Sequence, residues 1–209
     1  TIGSHKEVNR MAHTVITVGR EYGSGGRLIA QKAAEALGIP FFDRSIINMA
    51  AEETGLSADF IRRTEQQKTS SFLYNLYMST QSLPVNDQVF IAQSEVIRRV
   101  AAEGPCIIVG RCADYVLRNQ SGVDALNLFI HAPMEERIRR VREEYKVQAP
   151  DLRLYILKQD KNRAAYYEHF TDGQWGKAQN YHLAVSSGLG LETIVRLLTD
   201  LMRDRGLGA

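Results

Sequence analysis

The chain has 209 residues, 44% of them hydrophobic and 24% charged, with a formal net charge of +2. That length suits one domain, or one core with inserted segments. The near-neutral balance gives no ground for a nucleic-acid partner, and no apolar run reaches the length that spans a bilayer. Cys106 and Cys112 are expected to be thiols in a reducing cytoplasm, not a disulfide or metal framework.

Residues 1–10 are polar and include Gly3-Ser4-His5, so an expression-derived or disordered tail is expected there, with a single domain over 11–209. Thr14–Val18 reads as a buried strand. Gly19-Arg20-Glu21-Tyr22-Gly23-Ser24-Gly25-Gly26-Arg27 follows it and opens the helix Arg27–Leu37, which stops at Gly38 and Pro40. Strand, glycine-rich turn and helix N-terminus together make an anion site suited to phosphate: glycines turn N–H groups inward and the helix dipole adds positive potential. Gly23, Ser24, Gly25, Gly26 and Arg27 are the candidate cradle, with the Ser24 hydroxyl available to a phosphate oxygen. In the phosphate-loop pattern GxxxxGK[ST] the lysine position is Gly26 here, and Arg27 and Leu28 come next.

Ile39–Phe42 is the second strand. Asp43-Arg44-Ser45 stands at its carboxyl end, where open parallel sheets bind ligands. A helix cap for Ile46–Glu53 is the alternative use of Asp43 or Ser45. The segment 57–85, rich in Ser, Thr and Gln, reads as a mostly helical insertion able to close over a ligand, or as a surface excursion. Asn86–Glu103 is helical. Cys106–Gly110 is the third strand, followed by Gly110-Arg111-Cys112-Ala113-Asp114-Tyr115. The planar fork of Arg111 suits a phosphate, while Asp114 could meet the substrate or form a structural ion pair with Arg111.

Leu126–His131 is the fourth strand, and a helix runs from Pro133 to about Tyr145. Arg137 and Arg140 share one face of it, either as a solvated face or toward the phosphate loop. A lid is expected over about 142–176, with Asp160 and Arg163 on a common face beside Lys161, and with Tyr166, Tyr167 and Trp175 packing inside it. His182–Ser186 and the helix Leu191–Arg203 complete an alternating pattern that predicts a three-layer α/β domain with a five-stranded parallel sheet. The five histidines show no paired ligand spacing, so a metal site made of them is not expected.

Taken together, Gly19–Arg27, Phe42-Asp43-Arg44, Val109–Tyr115, Glu135–Arg140 and Ser186–Glu192 resemble the cytidylate kinase-like family of P-loop nucleoside monophosphate kinases. The resemblance implies the P-loop NTPase fold with a helical acceptor-side insertion and a lid. It also implies ATP and Mg²⁺ as cofactors and a nucleotide or other small-molecule phosphate acceptor such as CMP or dCMP. By resemblance Arg111 takes the acceptor phosphate, Asp43, Arg44 and Asp114 belong to the acceptor side, and Arg137, Arg140 and Arg163 close over the γ-phosphoryl group. Arg27 or Arg20 would supply the cation of the missing lysine, and Asp43, Asp114 and Asp160 are the remaining candidates for holding Mg²⁺ through water. The sequence departs from true cytidylate kinases at Gly26, which replaces the loop lysine, at Leu28, which replaces a hydroxyl residue, and at Val109, where those enzymes have an aspartate before the Gly-Arg pair. A nucleotide-sensing module without turnover, or a kinase of a non-nucleotide small molecule, is the alternative function.

Overall fold

The computed structural model describes residues 12–54, 58–59 and 84–206. Its centre is one sheet of parallel strands, β1 (His13–Arg20), β2 (Phe41–Phe42), β3 (Ile107–Val109), β4 (Val123–His131) and β5 (Leu183–Ser186), in the order β2-β3-β1-β4-β5. Ile16 pairs with Ile107 on one side and Leu126 on the other, and Leu128 pairs with Leu183. Each predicted strand is present. β1 runs on through Gly19 and Arg20, which pair with Phe129 and Ile130, so the first two residues of the glycine-rich segment belong to the strand.

Strand side chains alternate between faces, and both faces are covered. Val15 and Ile108 enter a cluster with Ile46, Ile47, Val96, Ile97 and Leu117. These come from helices α2 (Ser45–Thr54) and α3 (Val85–Glu103) and from the turn after the short α4 (Ala113–Val116). Ile16, Val18, Leu128 and Ile130 enter the opposite cluster with Ile29, Ala33, Ile194, Leu198 and Met202. Here the covering helices are α1 (Gly26–Leu37) and α7 (Leu191–Asp204). Cys106 and Cys112 are buried thiols, and burial pushes Cys106 up to about 12.

Two further helices carry the arginine-rich segments, α5 (Met134–Glu143) and α6 (Leu152–Phe170). Asp151 starts α6 by accepting a hydrogen bond from the Leu154 N–H at 2.9 Å, which satisfies one orphan donor of its first turn. The expected insertion over 57–85 lies almost wholly outside the described residues. No described helix is long and apolar enough to cross a membrane.

The parallel order brings the carboxyl ends of β1, β2 and β3 together at one edge, so Arg20, Asp43 and Arg111 converge although far apart in sequence. Leu128 is fully buried between β1 and β5. Leu128→Ala is expected to lower unfolding free energy by about 2–5 kcal/mol in urea titrations. A loss below about 1 kcal/mol would show that this strand is not at the centre of the core.

Candidate active site

The glycine loop is held from outside by three guanidinium groups and one buried serine. Three successive carbonyls, and the one at the end of β1, accept hydrogen bonds. Arg20 O accepts from Arg163 Nη1 at 2.9 Å, Tyr22 O from Arg137 Nε at 2.8 Å, Gly23 O from Arg140 Nη1 at 2.7 Å, and Ser24 O from the Ser187 hydroxyl at 2.5 Å. No described peptide is cis. In a planar trans peptide the N–H points opposite to the C=O, so fixing the carbonyls of Tyr22 and Ser24 outward turns the Gly23 and Gly25 N–H groups inward. The inward direction of these two N–H groups is thus set by Arg137 and Ser187.

Glycine is required where helices press on this loop. A Cβ at Gly23 would stand 2.9 Å from a Val141 methyl, and one at Gly25 would stand 2.9 Å from a Leu191 methyl. Both residues also have φ of +79°, a left-handed conformation that glycine adopts without strain. Ser24 is fully buried, and its hydroxyl donates to Glu21 O at 2.9 Å while accepting from the Gly26 N–H at 3.3 Å. The sequence reading aimed that hydroxyl at a phosphate oxygen; the fold uses it inside the loop, because the tight turn leaves the Gly26 N–H without a backbone acceptor.

Arg137 and Arg140 are 4% and 3% exposed, behind the loop and not over it. Arg137 pairs with Glu21 Oε2 at 3.2 Å and with Asp160, while Arg140 lies 3.6 Å from Glu144. Asp160 also accepts from the Tyr22 N–H at 2.7 Å, which ties α6 to the loop. Glu21 accepts from the Ala132 N–H at 3.1 Å. Tyr22 packs edge-on against Tyr145 and Tyr155 and beneath the Arg163 guanidinium, 5.3 Å from the ring centre. Burial first, then its tyrosine neighbours, pushes the Tyr22 hydroxyl up to about 12.

Beside the loop lies a pocket whose charged wall is Arg20, Arg111 and Arg163, and whose aromatic wall is Tyr166, Tyr167 and Trp175 with Tyr181. Arg111 reaches it through an unusual turn. Gly110, Arg111 and Cys112 have φ of +78°, +54° and +54°, and the two non-glycine residues each carry strain of about 1–3 kcal/mol. The turn is closed by the Ala113 N–H donating to Gly110 O at 3.1 Å.

Asp43, 5% exposed, faces three guanidinium groups and does not cap α2: Arg27 Nε at 2.6 Å, Arg111 Nη1 at 3.6 Å and Arg20 Nη2 at 4.0 Å. Burial pushes its carboxyl up, but the Arg27 hydrogen bond and the three positive charges outweigh it and hold Asp43 below its ordinary value. Asp114 also lines the pocket and accepts from the Tyr167 hydroxyl at 2.7 Å. There burial wins over the hydrogen bonds, and its carboxyl is raised. Arg44 and Lys161 are exposed and do not line this pocket.

The structure therefore brings together Arg20, Arg111, Arg163, Asp43 and Asp114, and sets Arg137, Arg140 and Asp160 behind the loop. Sequence reasoning missed Glu21, Ser187 and Tyr181. The aromatics expected to pack inside the lid line the pocket instead, and the aromatic density of 166–181 was the available signal.

A family model described as the cytidylate kinase-like family matches residues 15–189. No curated protein matches the chain in sequence. Among solved structures the chain is similar to an uncharacterized protein from Eubacterium ventriosum ATCC 27560 at 22% identity and a TM-score of 0.66, covering 91% of this chain and 99% of that one. It is also similar to a gluconokinase from Sinorhizobium meliloti 1021, at 15% identity and a TM-score of 0.55 over 93% and 94% of the two chains. A shikimate kinase from Bacteroides thetaiotaomicron matches at 15% identity and a TM-score of 0.53, over 91% and 98%. At these identities the likeness shows the fold, which is that of the P-loop kinases.

Two measurements check the electrostatics. Asp43 has a folded pKa below its unfolded one, so its ionised form contributes stability above the unfolded value, about 3.9, that is lost as pH falls through the folded value. Asp114 has the opposite sign: its contribution is present below the unfolded value and is lost as pH rises through the folded one. In urea titrations across pH, Asp43→Asn should lower stability at pH 7 and flatten the acid limb, whereas Asp114→Asn should be at least as stable as wild type at pH 7. Arg140→Met should cost about 1–3 kcal/mol by leaving Gly23 O without its charged donor. A neutral Arg140→Met would sink the bracing role.

Proposed function

The chain belongs to the cytidylate kinase-like family, and we propose from this that it is an ATP-dependent phosphotransferase acting on a small monophosphate, CMP or dCMP first among them. The observation that carries the reading is the pocket beside the glycine loop, where Arg20, Arg111 and Arg163 face an aromatic wall. A phosphate fits the guanidinium groups and a flat base fits the rings.

In this reading the inward N–H groups of Gly23 and Gly25, with the N-terminus of α1, hold the donor phosphates. Arg111 fixes the acceptor phosphate, and Arg163 lies between the two. Phosphoryl transfer needs little proton chemistry, so the chain's work is alignment and neutralisation of spreading negative charge. Arg137 and Arg140 act by holding the loop in its binding conformation, which spares reorganisation when the donor arrives. Asp114 and Tyr167 stand at the aromatic end and can accept from or donate to the acceptor's polar edge.

Among the described residues none fit a Mg²⁺ held by protein side chains alone. Among the described residues no three acidic, His or Cys side chains stand together, Asp43 is surrounded by arginines, and Arg27 follows Gly26 where the motif has its hydroxyl. Positive charge at the transferring group is supplied in this reading by the arginines.

A second reading has an observation of its own. The structurally similar gluconokinase and shikimate kinase are named for acceptors that are not nucleotides. An ADP-release assay with ATP and a panel of CMP, dCMP, UMP, AMP, gluconate and shikimate separates the two readings. Activity with CMP or dCMP is expected, and Arg111→Ala should reduce it about 10²-fold or more. Full activity in Arg111→Ala sinks the acceptor assignment. Tight ATP binding with no ADP release under any acceptor would mark a nucleotide sensor.

A further inference from the structure

The lysine position of the loop has no room for a side chain. A Cβ at Gly26 would stand 2.8 Å from the Arg20 Cβ and 3.0 Å from the Ile130 Cβ, with the Arg20 Cγ at 3.4 Å. These atoms sit next to the main chain and cannot swing away. The stem of Arg20 therefore fills the space from which a lysine would start.

The pattern GxxxxGK has a glycine six residues before its lysine. Counted back from Gly26, that position is Arg20. The chain thus carries arginine where the pattern has glycine, and glycine where the pattern has lysine. The two departures are sterically one, since Arg20 can cross the loop only because residue 26 lacks a side chain. A third position touches the same side chain: a Cβ at Gly110 would stand 3.2 Å from the Arg20 Cζ and would displace the guanidinium.

The guanidinium enters the pocket against Gly110. It lines the pocket with Arg111 and Arg163 and lies 4.0 Å from Asp43, at the carboxyl edge of the sheet beside the loop. Arg27 is placed differently. Its side chain is 53% exposed, bonds Asp43 through Nε and lies 5.7 Å from the centre of the Phe41 ring.

We propose that Arg20 is the displaced cation of the phosphate loop, supplying from the first position of the motif the charge that lysine supplies from the seventh, to the phosphates of a nucleoside triphosphate. Its planar fork holds two oxygens where an ammonium holds a point. This assignment rests on the donor reading given above.

The test is calorimetric ATP binding, with melting temperature alongside, for the purified chain and for R20A, R20K, G26K and R20G/G26K. R20A should weaken ATP binding about 10- to 100-fold, the range for losing a charged hydrogen-bond partner. R20K should retain part of the affinity. G26K should lose both melting temperature and affinity, and R20G/G26K should recover part of both relative to G26K, since glycine at position 20 clears the nearer contact while the Ile130 Cβ remains at 3.0 Å. That comparison also decides the matter if R20A does not fold. Wild-type affinity in R20A, or a G26K protein equal to the double variant, overturns the assignment of Arg20 alone. A wild-type chain that binds no triphosphate overturns the donor reading and this assignment with it.

Discussion

Everything at this site depends on which way a few peptide groups face. A trans peptide offers its N–H and C=O in opposite directions, so a loop can present donors to an anion only if something occupies its carbonyls on the other side. Here that role falls to Arg137, Arg140, Arg163 and Ser187, drawn from α5, α6 and the turn after β5. Burying guanidinium groups is unfavourable unless they are paired and hydrogen-bonded. Glu21, Asp160 and Glu144 supply the counter-charge, and the loop carbonyls supply the acceptors. Loop, α5 and α6 are consequently one mechanical unit.

The second constraint is electrostatic. Parallel strand order collects Arg20, Asp43 and Arg111 at one edge of the sheet, and α1 adds Arg27. One buried carboxylate among three guanidinium groups keeps like charges close together without cancelling them. The surplus is positive, and it faces a pocket that also contains Arg163. Such a cluster attracts an anion and then places it, because each planar fork has a fixed direction.

Much of this was legible in the sequence, and the limits of that reading have physical causes. The strands could be read because both faces of a covered parallel sheet demand short apolar runs, as in Cys106–Gly110 and Leu126–His131. The anion loop could be read because its glycines follow a strand and open a helix. The direction of Arg137 and Arg140 could not: their spacing says that they share a face of α5, but only packing decides whether that face meets solvent, ligand or the back of a loop. Ser24 misled for a similar reason, since a short hydroxyl beside free backbone groups is readily taken up locally. The relation between Arg20 and Gly26 is written in the motif, yet only the collision of their stems shows that the two positions constrain each other.

The turn Gly110-Arg111-Cys112 carries one more consequence. Two L-residues with β-carbons stand in left-handed conformation where glycine would rest without strain. A chain selected only for durability would have glycine at position 111. That arginine stands there instead means backbone strain is accepted at a residue whose side chain lines the pocket. The site is thus a place where the molecule is less stable than its own fold allows.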